Sequence, residues 1–362
     1  MKPRRLGWDW WSELKLAVLA DYLQRFTTAV RGKSKGANYL DLFAGSFENE
    51  RRYGTGTFAG SSQIALTTKP AFTNLAFFEL PGPAARLRVD IRAARPQDHR
   101  WEVVDGDCNI ELTPALKGLD DVRWAPTFAF LDPRGLQVEW STVQTLARWR
   151  RDKKTKIEQW ILMPEPALAR VLGLRGVRGR RSADRLDRLF GCRNWLPIHQ
   201  GRRAGWLSAE EMRAEFVNLY RWQLEQELGY RTTHALQIVN TDNRPVYTLV
   251  FATDSLPGDR IMGHLYASAA TRTIPAMQAR AQAARQLRRE DEAGVSRLPG
   301  MDELEIATTT SRHGSYEHEP PWEPAPIVDD ALDLDMDEAD LDPDEIDWDR
   351  GFDSNEDDPR DT

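Results

Sequence analysis

The chain has 362 residues, 41% of them hydrophobic, and a formal net charge of −7. That length and apolar content suffice for one large globular domain or two, and no apolar run reaches the roughly 20 residues of a membrane-spanning helix. Two cysteines, Cys108 and Cys192, exclude a disulfide framework and fit a reducing cytoplasm; with six scattered histidines they give no zinc spacing.

The N-terminus is basic (Met1-Lys2-Pro3-Arg4-Arg5), but Trp8-Asp9-Trp10-Trp11 and Glu13 follow it with no continuous apolar region. A secretory signal is therefore not expected, and a cytoplasmic location is. Charge is unevenly spread. Residues 329–362 carry 17 Asp/Glu against Arg350 and Arg360, a net of −15, which leaves +8 on the rest. A basic body with an acidic tail fits a nucleic-acid or other polyanion surface. It equally fits an ordinary solvated surface with a solubilising tail.

Residues 8–30 read as an amphipathic helix. Leu16, Leu19, Leu23 and Phe26 recur at helical spacing, with Lys15, Asp21, Gln24 and Arg25 expected outward. Trp8, Trp10 and Trp11 are expected to fasten its start to the core. A turn at Lys33-Ser34-Lys35-Gly36 leads into Tyr39-Leu40-Asp41-Leu42-Phe43-Ala44-Gly45, a buried parallel strand that breaks into a ligand-binding turn. Residues 46–60 are expected to be a polar loop, with a helix starting near Ser61.

Strands and helices then alternate. Strands are expected at 75–79, 101–104, 127–131 and 159–163, and helices at 83–94 and 138–149. The alternation predicts an α/β, Rossmann-like, doubly wound and mostly parallel sheet. Residues 164–206 break the pattern: an irregular, Arg-rich stretch with Arg170, Arg175, Arg178, Arg180, Arg181, Arg185 and Arg188, taken as a helical insertion in the fold. A helix follows at 208–228, with Ser208 and Glu211 as a capping box and Gly229 as C-cap. Strands at 235–239 and 246–251 around Thr241-Asp242-Asn243-Arg244-Pro245 form a hairpin, giving the sheet a C-terminal antiparallel strand. Residues 261–289 are helical. Beyond about Gly294 the chain turns Pro-rich, then acidic, and is expected to be disordered, with 311–326 as linker. The domains are thus an N-terminal helix at 1–36, a Rossmann-like domain at 37–293 with its insertion at 164–206, and a linker and acidic tail at 294–362.

Four acids close four successive strands: Asp41, Glu79, Asp107 and Asp132. Acids so placed suit a nucleoside cofactor. One after the second strand accepts both ribose hydroxyls, and one after the third, with Cys108 or Asn109 beside it, reads adenine. The alternative is that such acids merely cap the following helices. The first turn lacks the three-glycine dinucleotide fingerprint and the Gly-Lys-Ser/Thr of a P-loop. S-adenosylmethionine fits better than NAD or ATP, with its sulfonium and amino-acid ends at Asp41 and the Phe43–Gly45 turn. Asp132-Pro133-Arg134-Gly135 occupies the place where amino-group methyltransferases carry an acid–Pro–Pro–aromatic motif that orients the acceptor. Arg134 stands where the second Pro would be, suited to a phosphate or carboxylate or simply exposed in a turn. The basic run at 148–156 and the 170–188 stretch are candidates for phosphate contact.

In this order the pieces resemble the three-Cys-motif partner family (TcmP), whose members look like class I S-adenosylmethionine-dependent methyltransferases. The resemblance spans roughly residues 10–270. It rests on the opening helix at 15–26, the 39–45 motif, Phe77-Phe78-Glu79, Gly106-Asp107-Cys108-Asn109 and Phe130-Leu131-Asp132-Pro133-Arg134-Gly135-Leu136. Residues 220–230, 247–253 and Ile261-Met262 complete it. The sequence departs from the pattern at Gly45-Ser46-Phe47, where Gly-Pro-Gly is usual, and in the missing aromatic near Arg134. The resemblance implies a methyltransferase-like fold, cofactor contacts at Asp41, Phe43, Gly45, Glu79, Asp107 and Cys108, and an acceptor site at Asp132 and Arg134. It also implies a partner protein bearing the three-Cys motif. The alternative is a non-catalytic module that keeps the fold and binds protein or nucleic acid through residues 170–188.

Overall fold

The computed structural model describes residues 10–52, 56–172, 176–240, 244–293 and 313–314. Helix α1 (Trp10–Arg31) precedes β1 (Asn38–Asp41). A two-stranded antiparallel ladder, β2 (Glu48–Glu50) and β3 (Thr57–Ala59), leads to α2 (Ser61–Thr67). Then follow β4 (Asn74–Glu79), α3 (Pro81–Ala94), β5 (Trp101–Asp105), α4 (Cys108–Gly118), β6 (Thr127–Leu131), α5 (Trp140–Trp149) and β7 (Glu158–Met163). Helices α6 (Glu165–Leu172), α7 (Gly176–Phe190), α8 (Trp195–Arg203) and α9 (Ala209–Trp222) connect to β8 (Thr232–Val239), β9 (Pro245–Thr253), α10 (Leu256–Ser268) and α11 (Ile274–Ala293).

The main sheet runs β5-β4-β1-β6-β7-β9-β8, with a two-residue strand β10 (His313–Gly314) on the outer edge of β8. The first five strands are mutually parallel, and β9 is antiparallel to both its neighbours. The chain steps from β1 one way to β4 and β5, then returns to β6 and β7 on the other side. The junction of β1 and β6 is therefore the topological switch point.

Each sheet face has its own apolar layer. Helices α1, α2, α3, α10 and α11 cover one, around Tyr39, Phe77, Phe128 and Trp160. Helices α4 to α9 cover the other, around Leu40, Phe78, Leu131 and Met163. The alternation along β1 explains the division: Tyr39 and Asp41 face α1, and Leu40 and Leu42 face away. Aromatic pairs fix α1 to the central strands, with Tyr22 and Tyr39 centroids 5.2 and 6.1 Å from that of Phe128. At the start of β7, Glu158 ties α1 to the sheet. It accepts from the Tyr22 hydroxyl at 2.5 Å and from Thr253 Oγ1 at 2.9 Å, and burial lifts its carboxyl to about 7.

Several expectations need correction. Residues 46–60 are not a plain loop, because they hold the β2–β3 ladder. Three-residue strands are too short to show a period of two. The 164–206 stretch is helical, as an insertion of that kind was expected to be, and not irregular: it holds α6, α7 and α8, and α7 buries Leu186, Leu189 and Phe190. Lys15 does not point outward. It stands four residues from both Trp11 and Leu19 on the buried stripe of α1, so helical spacing overrides its polarity. Helix α4 was not foreseen, since it begins at the supposed adenine loop and contains Pro114. Helix α5 starts at Trp140 rather than 138, and α10 starts at Leu256 rather than 261. The hairpin tip at 241–243 and nearly all of the 294–362 linker and tail lie outside the described residues.

Candidate functional site

The carboxyl end of β1 is held between its neighbours. Past Asp41, Leu42 N donates to Phe130 O at 2.9 Å on β6, and Ala44 N to Phe78 O at 3.1 Å on β4. The turn closes at Gly45, whose φ of +60° is costly for any residue with a Cβ. A Cβ there would meet nothing nearer than Phe43 O at 4.0 Å, so the demand is conformational rather than steric. Gly45 N donates to Glu79 Oε2 at 2.8 Å, and Leu80 N donates to Glu79 Oε1 at 3.1 Å. Glu79 thus clasps the first turn from the next strand. Farther along, Gly60 N donates to Phe47 O at 2.9 Å, and a Cβ on Gly60 would collide with the Ser46 carbonyl. The turn after Gly45 therefore lies directly on the start of α2.

Register explains how the acids gather. Asp41 is opposite Phe77 and Phe130, and Glu79 and Asp132 each lie two residues farther on the same face. Three of the four acids therefore meet across β4, β1 and β6, at the switch point. The fourth does not join them. Asp107 is the N-cap of α4, and its Oδ1 accepts from Asn109 N and Asn109 Nδ2, both at 2.9 Å. Its cap role is the alternative weighed from the sequence.

Asp41 has no exposed surface. Its Oδ2 accepts from the Tyr39 hydroxyl at 3.0 Å and its Oδ1 from Phe43 N at 3.4 Å. Burial pushes the carboxyl up to about 7, opposed by the Ser61 and Tyr39 hydroxyls and reinforced by Asp132. Asp41 supports the turn from beneath. Phe43 is half-buried against the opposite layer. Cys108 is buried on the core side of α4, and burial lifts its thiol to about 12. Asn109 is fully engaged: it donates to Gln137 O at 2.8 Å and accepts from Glu139 N at 3.1 Å and Thr142 Oγ1 at 2.7 Å. It pins the segment after Asp132 rather than facing a ligand.

Asp132 follows β6 with its side chain 21% exposed and forms an ion pair with Lys15, itself buried. Lys15 Nζ also lies 5.7 Å from the centroid of the Tyr247 ring, whose hydroxyl donates to Trp11 O at 2.7 Å. Arg134 is exposed, and its backbone N donates to Gln137 Oε1 at 3.0 Å.

Three further features escaped sequence reasoning. Lys15 was the first, and its four-residue spacing from Trp11 and Leu19 was the available signal. Glu165 is a fifth strand-end acid, two residues past β7. It accepts from Gln237 Nε2 at 3.0 and 3.1 Å and from Thr248 Oγ1, with Arg213 Nε at 3.5 Å. Burial raises its carboxyl above the usual range, and the Thr248 and Gln237 bonds oppose this. Finally, Leu80 and Ile110 are 54% and 70% exposed. They flank Glu79 and Asp107 on adjoining turns joined by a 3.0 Å bond from Gly106 N to Glu79 O. In the sequence Leu and Ile read as core, so nothing there signals their exposure beside acids.

In the insertion, Arg188, Arg193, Arg202 and Arg203 are exposed. The side chains of Arg170, Arg178, Arg180 and Arg181, and all of Arg175, lie outside the described residues. Among the described residues no helix is long and apolar enough to cross a membrane.

No family model matches the chain, and no curated protein does. Among solved structures it is similar to protein LPL1258 from Legionella pneumophila str. Philadelphia 1, described under the family model DUF519. The two share 10% identity over 70% of this chain and 90% of that one, with a TM-score of 0.42.

Proposed function

We propose that the chain is an S-adenosylmethionine-dependent methyltransferase-like protein, akin to the three-Cys-motif partner family and working with a partner protein of that kind. The observation that carries the reading is the clasp of Gly45 by Glu79 at 2.8 Å beside the switch point, where open α/β sheets take their ligands. The antiparallel β9 next to β7 is the C-terminal strand this reading expects. In it, Gly45 offers a close backbone approach, and Glu79 offers the lone pairs its two amide bonds leave over to a ribose diol. Leu80 and Ile110 give apolar cover to a planar base, with Asp107 at its edge. Asp41 fits as a support for the turn, and Phe43 as its packed shoulder. Cys108 does not fit as a direct contact, because its thiol is buried in the core. When bound, S-adenosylmethionine supplies an electrophilic methyl group. Asp132 lies on the acceptor side and orients what enters there, with exposed Arg134 at the mouth. Calorimetric titration with S-adenosylmethionine tests this. Binding in the micromolar range is expected, and no binding at millimolar ligand to folded protein would refute it.

A second reading, a polyanion-binding module, is favoured by one observation. Residues 164–206 hold ten Arg against three Asp/Glu, nearly the whole excess of positive charge outside the acidic tail. It expects salt-dependent binding of a single-stranded DNA oligonucleotide that charge reversal at Arg178, Arg180 and Arg181 abolishes. Unchanged binding by that variant would dismiss it.

A further inference from the structure

The Lys15–Asp132 pair is incomplete in a particular way. A lysine ammonium has three N–H donors. Among the described residues, Asp132 Oδ2 is the only hydrogen-bond acceptor for Lys15 Nζ, although the lysine side chain is only 7% exposed. The Tyr247 ring covers one side without accepting a conventional bond, and the Trp11 carbonyl nearby is taken by the Tyr247 hydroxyl. Asp132 Oδ1 receives no hydrogen bond from the described residues either. Asp132 Oδ1 is open to solvent, whereas leaving lysine donors unpaired in a buried place is costly, so something completes them. Asp132 is the more exposed partner, which makes its side the way in.

The missing group must accept from Lys15, and, entering past Asp132, it meets the free lone pairs of Oδ1 as an acceptor for its own donor. The pair is formally neutral, and an entering group with a net charge would leave that charge uncompensated in a poorly solvated site. An amide edge meets both demands: a carbonyl oxygen and an N–H on the same carbon, facing one way. A carboxylate offers no donor, and an ammonium offers no acceptor. We propose that Lys15 and Asp132 together form a receptor for the amide edge of a ligand, a lactam or primary carboxamide, at the end of β6. The inference deepens the methyltransferase reading by naming the chemical class that occupies the acceptor side, and it rests on that reading only for the word acceptor.

The probe is 2-piperidone, a small lactam, with N-methyl-2-piperidone as the analogue lacking the donor. Saturation-transfer NMR on the full chain reads binding of each at millimolar concentration. The lactam is expected to give a signal at least fivefold above its N-methyl analogue. Lys15→Met and Asp132→Asn are each expected to remove that difference, with circular dichroism checking the fold. If either single variant unfolds, the double variant Lys15→Met/Asp132→Leu replaces the pair by apolar groups and is expected to fold and not to bind. Equal signals from both probes, no signal from folded wild type (water alone completing the pair), or a signal that survives the substitutions would overturn the inference. S-adenosylmethionine titrated in parallel separates the two ideas. Cofactor binding without lactam binding refutes only the receptor, and lactam binding without cofactor binding refutes only the methyltransferase reading.

Discussion

Two acids with cationic partners close neighbouring strands of this sheet, one buried and one partly exposed, and they are built differently. At the end of β7, Glu165 is almost sealed, and Thr248, Gln237 and Arg213 surround it. At the end of β6, among the described residues, Asp132 has only Lys15 and Lys15 has no second acceptor. A carboxylate held by several partners stiffens a structure, here by tying α6 and α9 to the β8–β9 hairpin, although Arg213 Nε reaches Glu165 only as an ion pair at 3.5 Å. A carboxylate with a single partner is tolerated where solvent or a ligand reaches it. The difference separates an acid enclosed by protein partners from one left open to a further group on one and the same sheet edge, although residue type and strand position alone would rank them equally.

Glu165 carries the largest expected effect. Glu165→Ala strands the Arg213 guanidinium and the Gln237 amide, and a loss of about 3–5 kcal/mol is expected, the range for removing one partner of a buried pair. Thermal unfolding should show a midpoint about 10 °C lower, with cofactor and lactam binding kept in the cold. A loss under about 1 kcal/mol would remove the distinction between the two acids.

The next effect is one of pH. Asp41 and Glu158 both titrate near 7 in the folded chain because burial disfavours their charged forms. Unfolded, such groups titrate near 4. Between those values the native state holds protons that the unfolded chain has released, so stability falls as pH rises from about 4 to about 7 and then levels. A loss of a few kcal/mol is expected across that window. Asp41→Asn and Glu158→Gln should each flatten the curve of melting temperature against pH between 5 and 7. A curve identical to wild type in both variants would place the titration elsewhere.

Lys15→Met should cost less than Glu165→Ala, about 1–2 kcal/mol in chemical denaturation, because Asp132 is partly exposed and can rehydrate. Glu79→Ala removes the acceptor of the Gly45 amide and should cost about 1 kcal/mol, yet weaken S-adenosylmethionine at least tenfold by calorimetry. The smallest effect belongs to the insertion. Arg188→Glu and Arg193→Glu, both on exposed side chains, should shift stability by less than about 0.5 kcal/mol.

The sequence made the sheet legible where its signals are local and strong. Apolar runs marked β1, β4, β6 and β7. Ser208 and Glu211 form both arms of a capping box, at 2.7 and 3.1 Å, and Gly229 adopts φ +67° as a C-cap does. What stayed hidden depends on pairing across the chain. Glu48 and Ala59 become strand residues only because they meet. Lys15 looked like surface because its partner, 117 positions on, supplies the reason for its burial. Of the site, the meeting of Asp41, Glu79 and Asp132 at one edge was readable from strand ends. Asp107 is not separable from a helix cap without the structure, and Glu165 does not stand out because Pro164 separates it from the end of its strand.

If Gly45 and Glu79 hold the adenosyl part of a cofactor at the switch point, as proposed, a crystal structure of the chain soaked with S-adenosylhomocysteine will show it most directly. The expected result is a ribose within hydrogen-bonding distance of Glu79, with adenine between Leu80 and Ile110. A ligand bound elsewhere, or a Glu79–Gly45 turn left bare at saturating concentration, would contradict it.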